Sequence, residues 1–348
     1  MKTKSTENEL SALDNRHRHQ TLHSVSPIRQ WKLVDMTLRD GIQDASVVFD
    51  HDSRVRIAME LYKCGIDDIE AGMPAMGPGE RRSIASIASA LPGARIIGWC
   101  RAVESDLLAA AQCGCNTIHI SFPVSDAHLQ GLGLHSQLIE KKISFFIEKA
   151  LSIVKGVTVG FQDASRAPLD RLARFTSMAV ESGARRIRIA DTVGTLTPLA
   201  CARLIKSLIC QVPSAELEFH GHNDLGMATA NTVTALEAGA IAASVTVNGI
   251  GERSGNAALA EVAAALAGKA TERVDGLRID RIAALCDLVA RFMNVPIPRN
   301  KPVSRKNIFR HEPDVRNSAF LKGFRNTELF PSELGWHRNS NSEPGFTI

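Results

Sequence analysis

Two histidines stand two residues apart in the segment 218–224, which reads Glu-Phe-His-Gly-His-Asn-Asp. Residues two apart on a β-strand point to the same face, so Glu218, His220 and His222 would line up, whereas on a helix the imidazoles would diverge. Two imidazoles and the carboxylate of Asp40, from an earlier part of the chain, are mixed donors suited to a divalent cation. An isolated His-x-His pair is more often two histidines hydrogen-bonded near a turn, so the interpretation depends on its surroundings.

Other charged residues occur where short apolar runs end. Arg39 and Asp40 follow the run 32–38, and Glu70 lies within the otherwise apolar run 67–72. A carboxylate buried without a partner is costly, so Glu70 is expected to pair with a cation such as Arg39. A surface ion pair or a purely structural salt bridge would explain the same residues.

The glycine-rich segment 247–256 ends in Asn256. Glycines let the backbone approach a ligand closely, and Asn256 could offer an amide oxygen. On its own, such a turn is weak evidence for a ligand-binding loop.

These groups need a scaffold that gathers them, and the chain from Lys32 onward has a suitable pattern. Short β-rich apolar runs alternate with stretches of helical spacing. The predicted strands are 32–38, 67–72, 94–100, 117–122, 157–162, 186–190, 216–222 and 242–247. The predicted helices include 53–64, 104–113, 135–152, 169–182, 198–210 and 225–238. Several of these helices end at a glycine, which is a common helix stop.

Eight β-then-α units over roughly 240 residues match a (β/α)₈ TIM barrel, an α/β fold whose reactive groups sit at the carboxyl ends of the strands. A doubly wound open sheet is the competing layout. It would need a phosphate-binding glycine-rich turn after its first strand, but the first strand here ends in the charged sequence Thr-Leu-Arg-Asp-Gly at 37–41. We therefore expect the barrel.

The barrel is expected to span residues 29–272. Residues 1–28 mix charge, Ser and His without periodicity, which predicts a mobile, disordered tail. Residues 273–348 are expected to form a C-terminal subdomain with one helix, near 277–294, and an extended basic arm broken by prolines.

The 348 residues carry 41 Lys and Arg against 37 Asp and Glu, a formal charge of +4, with 44% apolar residues. This is typical of a globular protein, and the positive excess is too weak to predict nucleic-acid binding. The sequence contains no uninterrupted apolar run of about 18 residues, so a membrane-spanning helix is not expected. A secretory signal is not expected either, because no apolar segment follows the basic residues 16–19. Seven cysteines without a Cys-x-x-Cys pair are typical of reduced thiols, so a cytoplasmic location is expected.

Several motifs together resemble the DRE-TIM metallolyase superfamily. They are TLRDGIQ (37–43), IEAGMPAMG (69–77), SFPVSD (121–126), DASR (163–166), ADTVG (190–194), HGHNDLGMATANT (220–232) and NGIGERSGNAAL (248–259). The resemblance runs in order from about Lys32 to Asn307. Within the superfamily it is greatest to homocitrate synthase of the nitrogen-fixation type, followed by isopropylmalate and citramalate synthases.

The resemblance implies a metal-dependent Claisen condensation of acetyl-CoA, as co-substrate, with a 2-oxo acid, followed by thioester hydrolysis. By motif position, the metal ligands would be Asp40, His220 and His222, with Asn256 near or in the coordination shell. Arg39 would meet the 2-oxo oxygen and the charge that develops on it. Mn²⁺, Mg²⁺, Zn²⁺ and Fe²⁺ all accept such donors, and the sequence does not choose among them.

The same motifs imply the remaining roles. Gln43 and Glu70 would support the site, and Arg166 and Thr192 would hold the carboxylate end of the substrate. The first candidate substrate is 2-oxoglutarate, and another 2-oxo acid, such as a phosphonate or a branched one, stays open. The partners implied are these small molecules and a second copy of the chain in a homodimer, with no nucleic acid and no membrane.

Three positions depart from the synthase pattern. Ile42 and Gln162 each stand where synthases commonly have Glu. In the arm, a HESGIHxDG-like stretch is typical of the family, and this chain keeps its first histidine, His311, as a catalytic candidate but has Arg316 in place of the second. A positioned base contributes about 10² to 10⁴ in rate. Arg316 cannot serve as a base at neutral pH, but it could bind an anionic group of a substrate.

Two alternatives stay open. One is an acyl-CoA lyase of the same superfamily, although such lyases usually carry a Cys in the glycine-rich loop, where this chain has Glu-Arg-Ser at 252–254. The other is a barrel that binds metal and oxo acid with impaired catalysis, because Gln162 and Arg316 cannot take up a proton.

Overall fold

A closed barrel of parallel strands forms the body of the molecule. The computed structural model describes residues 29–44, 46–267, 272–274, 276–304, 337–338 and 346–347. The strands are β1 (Arg29–Asp35), β2 (Asp68–Gly72), β3 (Arg95–Arg101), β4 (Thr117–Pro123), β5 (Gly156–Gln162), β6 (Arg186–Asp191), β7 (Leu217–Gly221), β8 (Ala242–Val245) and β9 (Glu272–Val274). Each of the first eight pairs with the next, β8 pairs with β1, and β9 extends the sheet beside β1. Two short strands, β10 (His337–Arg338) and β11 (Phe346–Thr347), pair antiparallel.

Helices follow the barrel strands in turn. They are α1 (His51–Lys63), α2 (Pro78–Ala90), α3 (Glu104–Gln112), α4 (Asp126–Gly131), α5 (Ser136–Leu151), α6 (Leu169–Glu181), α7 (Pro198–Gln211), α8 (Ala228–Glu237), α9 (Leu259–Ala267) and α10 (Ile279–Met293). The glycines predicted to stop four of them, at 65, 114, 183 and 239, all have positive φ angles, which glycine adopts without steric cost. Within the described residues, no helix has both the length and the apolar character that crossing a membrane requires.

The barrel predicted from the sequence is confirmed, with shifted boundaries. β1 ends at Asp35, three residues before the predicted end at 38, so Arg39 and Asp40 lie in the turn that follows rather than on the strand. The helix predicted near 277–294 is α10. The predicted tail, 1–28, and most of the predicted arm lie outside the described residues, so the division into domains stays a prediction.

Apolar packing fixes the barrel from the outside. The outward faces of the strands meet the helices in one continuous core, where for example Phe161 of β5 packs against Phe175 of α6 with ring centroids 6.3 Å apart. Burying one such side chain stabilises the fold by about 1.5 to 3 kcal/mol. A small separate cluster of buried apolar residues, formed by Val34, Ile97 and Ala242, lies apart from this core. Much of the remaining interior is polar, and it leads to the carboxyl ends of the strands.

Candidate functional site

The turn after β1 brings two charged side chains into the barrel mouth. The amides of Arg39, Asp40 and Gly41 all donate to the carbonyl of Met36, at 2.9 to 3.0 Å. This turn buries Arg39 and Asp40 to 7% and 2% exposure and pairs Arg39 Nη1 with Asp40 Oδ2 at 2.7 Å. The pair is therefore buried and is not a surface ion pair.

Two histidines at the end of β7 converge with Asp40. The Nε2 atoms of His220 and His222 lie 3.1 Å apart, and His220 Nε2 lies 3.9 Å from Asp40 Oδ2. One donor atom from each of the three residues falls within 4.8 Å of the others. Two nitrogens each about 2.1 Å from one ion, roughly at right angles, would stand about 3 Å apart. The three buried side chains therefore have the spacing of a metal site.

Asn256, in the loop after β8, completes this cluster. Its Nδ2 donates to Asp40 Oδ1 at 2.8 Å and to the carbonyl of Ile250 at 3.0 Å. Among the described residues, the buried Oδ1 of Asn256 has no hydrogen-bond partner. A buried amide oxygen without a partner is costly, and a cation beside Asp40 would satisfy it. The donor set thus fits a divalent metal.

The protonation states also suit a cation. Burial, reinforced by their mutual proximity, holds the pKa of His220 well below its ordinary value, and burial also lowers the pKa of His222. Burial alone would raise the pKa of Asp40, but the Arg39 guanidinium and the neighbouring histidines outweigh it and hold that pKa below the usual range. Neutral imidazoles and an ionised carboxylate are the forms that bind a metal.

Arg39 is fixed on three sides. Its Nε donates to Glu70 Oε1, its Nη1 donates to Asp40, and its guanidinium lies 5.8 Å from the ring centroid of Trp99. Glu70 is fully buried, and Arg188 donates to its second oxygen at 2.7 Å. Burial would raise the pKa of Glu70, but Arg188 and Arg39 together lower it. The predicted pairing of Glu70 with Arg39 is therefore confirmed, and Arg188 is an additional partner.

A second polar cluster lies at the ends of β5 and β6. Arg166 donates to both oxygens of Asp163, at 2.7 to 3.0 Å, and Ser125 donates to one of them. The Asp163 amide donates to Thr192 Oγ1 at 2.7 Å, so the Thr192 hydroxyl keeps its own proton for a ligand. Arg166 is half exposed. Asp163 thus joins the two side chains that were expected to hold a carboxylate.

Comparison with known proteins identifies the family. A family model described as HMGL-like matches residues 30–289. The chain belongs to the HMGL-like family. It is 40% identical over 309 residues to a homocitrate synthase of Frankia alni, covering 88% of each chain. It is 39% identical to the protein named 2-isopropylmalate synthase 2 of Caldanaerobacter subterraneus subsp. tengcongensis, covering 88% of this chain and 80% of that one.

A solved structure supports the fold of this HMGL-like chain. The hydroxymethylglutaryl-CoA lyase of Pseudomonas aeruginosa matches 78% of this chain and 96% of its own, with a TM-score of 0.70 at 20% identity. That likeness shows a shared barrel architecture. The sequence relatives and the family model confirm the resemblance to the DRE-TIM superfamily.

Not every predicted residue of the HMGL-like chain joins the cluster. Glu218 does not line up at the mouth with the histidines, because it lies one layer deeper and accepts hydrogen bonds from Arg186 and Arg188. Gln43 is exposed, with its amide 3.8 Å from Met73 Sδ. His311 and Arg316 lie outside the described residues.

Sequence reasoning missed three residues of the site. Arg188, Trp99 and Asp163 all contact a predicted residue, yet none was singled out. For Arg188 a signal existed, because β6 reads Arg-Ile-Arg-Ile-Ala-Asp and charges at every second position of a buried strand share one face. The left-handed backbone of Asp163, with φ of 58°, has no clear sequence signal.

Proposed function

We propose that the protein condenses acetyl-CoA with a 2-oxo acid and hydrolyses the resulting thioester. Two relatives named homocitrate synthase and 2-isopropylmalate synthase 2 support this proposal. The observation that carries the proposal is the buried cluster of Asp40, His220 and His222 with Arg39 pressed against it. A reaction in which negative charge develops on a substrate oxygen would use both the metal-binding side chains and the Arg39 cation.

The chemistry follows from these side chains. A divalent cation held by Asp40, His220 and His222, with the amide oxygen of Asn256, would supply a Lewis acid for the 2-oxo group. The methyl group of acetyl-CoA loses a proton, its carbon bonds to the keto carbon, and the former keto oxygen becomes a hydroxyl by taking up a proton. Water then cleaves the thioester, which releases a carboxylate and the CoA thiol. Arg39 stabilises the negative charge on the keto oxygen while the carbon–carbon bond forms.

The cluster of Arg166, Asp163 and Thr192 supports a substrate with a second anionic group. Arg166 presents a half-exposed guanidinium, and the Thr192 hydroxyl can donate. Together they would hold a distal carboxylate by charge-assisted hydrogen bonds. We therefore propose 2-oxoglutarate as the first substrate to test.

The remaining assignments rest on the sequence. His311 as a catalytic group, Arg316 as an anion-binding group, the homodimer and the cytoplasmic location all stay predictions. The identity of the metal stays open among Mn²⁺, Mg²⁺, Zn²⁺ and Fe²⁺.

The test is release of free thiol from acetyl-CoA across a panel of 2-oxo acids with added Mn²⁺, with the product mass measured in parallel. We expect turnover with at least one acid, strongest with a dicarboxylic one. His220→Asn should abolish it, while His51→Asn, at an exposed position on α1, should leave it unchanged. If none of the 2-oxo acids in the panel causes thiol release, the proposal is overturned. Metal-dependent binding of the acid without turnover would favour the impaired barrel, and cleavage of a hydroxyacyl-CoA would favour the lyase.

A further inference from the structure

A chain of buried charges of alternating sign runs through the barrel from the candidate metal site of Asp40, His220 and His222. We name it the charge ladder. Each carboxylate except the first bridges two arginines, and each arginine except the last bridges two carboxylates. From the mouth inward its members are Asp40, Arg39, Glu70, Arg188, Glu218, Arg186, Asp68 and Arg95.

The middle of the charge ladder has short contacts in regular order. Arg188 donates from Nη2 to Glu70 at 2.7 Å and from Nε to Glu218 at 2.6 Å. Arg186 donates from Nε to the other oxygen of Glu218 at 2.7 Å and from Nη2 to Asp68 at 3.0 Å. Both guanidiniums therefore sit between two carboxylates, and rotation of either would break two bonds.

Burial makes the charge ladder a poor device for stability alone. The side chains of Glu70, Glu218 and Asp68 are fully buried, and those of Arg186 and Arg188 are 2% and 3% exposed. Removing ions from water costs so much that well-packed apolar residues often stabilise a core as well as a buried ion pair does. What a fully paired network does supply is a single fixed geometry.

The end of the charge ladder determines which atoms of Arg39 stay available. Glu70 holds Nε and Asp40 holds Nη1, while Nη2 has only a weak contact with Met36 Sδ at 3.9 Å. Nη2 is thus the nitrogen left for a substrate oxygen. Its direction depends on Glu70, and the orientation of Glu70 depends on Arg188, which holds the second carboxylate oxygen.

We propose that Arg188 is a positioning residue of the condensation, which orients Arg39 through Glu70 so that Nη2 faces the oxygen that becomes negative. The inference rests on the proposed function. Arg188 touches no substrate. Its removal frees Glu70 to rotate and leaves one excess negative charge beside Arg39, so the transition state should lose more than the bound substrate does.

The test compares two substitutions that each remove one positive charge, one in the middle of the charge ladder next to Glu70 and one at its far end. Arg188→Met should lower kcat about 30-fold with KM for the oxo acid within about threefold, which is the size of effect typical of residues that support a ligand. Arg95→Met, at the far end, should change kcat less than about twofold. Arg188→Lys keeps the charge but not both contacts, and should recover part of the loss. If Arg188→Met does not fold, Arg188→Lys and Arg95→Lys provide the same comparison.

Binding of oxalate with Mn²⁺, measured by calorimetry, gives a readout without turnover. Oxalate presents a negative oxygen where the keto oxygen would lie, whereas pyruvate presents a neutral one. Arg188→Met should weaken oxalate binding about tenfold and pyruvate binding less than threefold, and Arg95→Met should affect neither. The inference would be overturned if Arg188→Met and Arg95→Met lowered kcat or oxalate affinity equally. It would also be overturned if Arg188→Met raised KM and left kcat unchanged. If wild-type protein binds oxalate but turns over no oxo acid, the proposed function fails, and oxalate binding alone decides the role of Arg188.

Discussion

Gly251 lies where any side chain would disturb Asn256 and Asp40 in the candidate metal site. Its φ is +150°, and an added Cβ would stand 2.0 Å from Asn256 Nδ2 and 3.0 Å from Asp40 Oδ1. We expect Gly251→Ala to push the Asn256 amide away from Asp40 and to break the 2.8 Å hydrogen bond between them.

The expected magnitude follows from that bond. A hydrogen bond to a charged group contributes about 1.5 to 3 kcal/mol, and loss of a group that supports a metal ligand lowers affinity about 10- to 100-fold. These two ranges agree, since 100-fold corresponds to about 2.7 kcal/mol. Gly251→Ala should therefore weaken Mn²⁺ binding, measured by calorimetry, by about 10- to 100-fold.

Backbone strain must be separated from this effect. Gly77 also has a positive φ, +118°, and an added Cβ there meets no described atom within 4 Å. Gly77→Ala should therefore lower the melting temperature through strain of about 1 to 3 kcal/mol while Mn²⁺ affinity stays unchanged. If Gly251→Ala and Gly77→Ala bind Mn²⁺ with affinities within threefold of each other, the assigned arrangement of Asn256 and Asp40 is wrong.

Three further predictions concern the metal, the substrate and pH. EDTA should abolish thiol release and Mn²⁺ should restore it, and His222→Asn should lower Mn²⁺ affinity at least about tenfold; full affinity in that variant would exclude His222 as a ligand. Arg166→Lys should raise KM for 2-oxoglutarate about tenfold with kcat nearly unchanged, because Lys cannot make paired hydrogen bonds to a carboxylate; an unchanged KM would refute that role. Burial raises the pKa of Asp35 to about 7, against the hydrogen bonds from Thr37. Because the folded pKa exceeds the unfolded one, the stability that protonated Asp35 contributes is lost as pH rises toward about 7. In urea unfolding, the free energy of unfolding of Asp35→Asn minus that of wild type should therefore increase by about 2 to 3 kcal/mol from pH 5 to pH 8. A difference that stays constant over this pH range would count against the raised pKa.

The sequence predicted the barrel because its signals are local. Apolar runs of strand length, helical spacing and the terminal glycines such as Gly65 and Gly183 each depend on a few neighbouring residues. The predicted end of β1 was wrong, because Met36 and Leu38 continue the apolar pattern into a turn that is fixed by hydrogen bonds to the Met36 carbonyl. Periodicity alone does not detect such a turn.

The metal cluster was predictable for a different reason. His220 lies on β7, His222 directly follows it, and Asp40 follows β1, so the carboxyl ends of parallel strands in one barrel bring the three side chains together. Glu218 shares the inward face of β7, and sequence alone could not tell its depth in the barrel. That depth depends on the stagger of the strands, which sets Glu218 beside Arg188 rather than beside the histidines.

The most direct test of the account is a crystal structure of the protein soaked with Mn²⁺ and a 2-oxo acid, with the ion located by its anomalous scattering. The account predicts one strong peak at about 2 Å from His220 Nε2, His222 Nε2 and an Asp40 carboxylate oxygen. A fully occupied ion bound elsewhere, with these three side chains left uncoordinated, would contradict it.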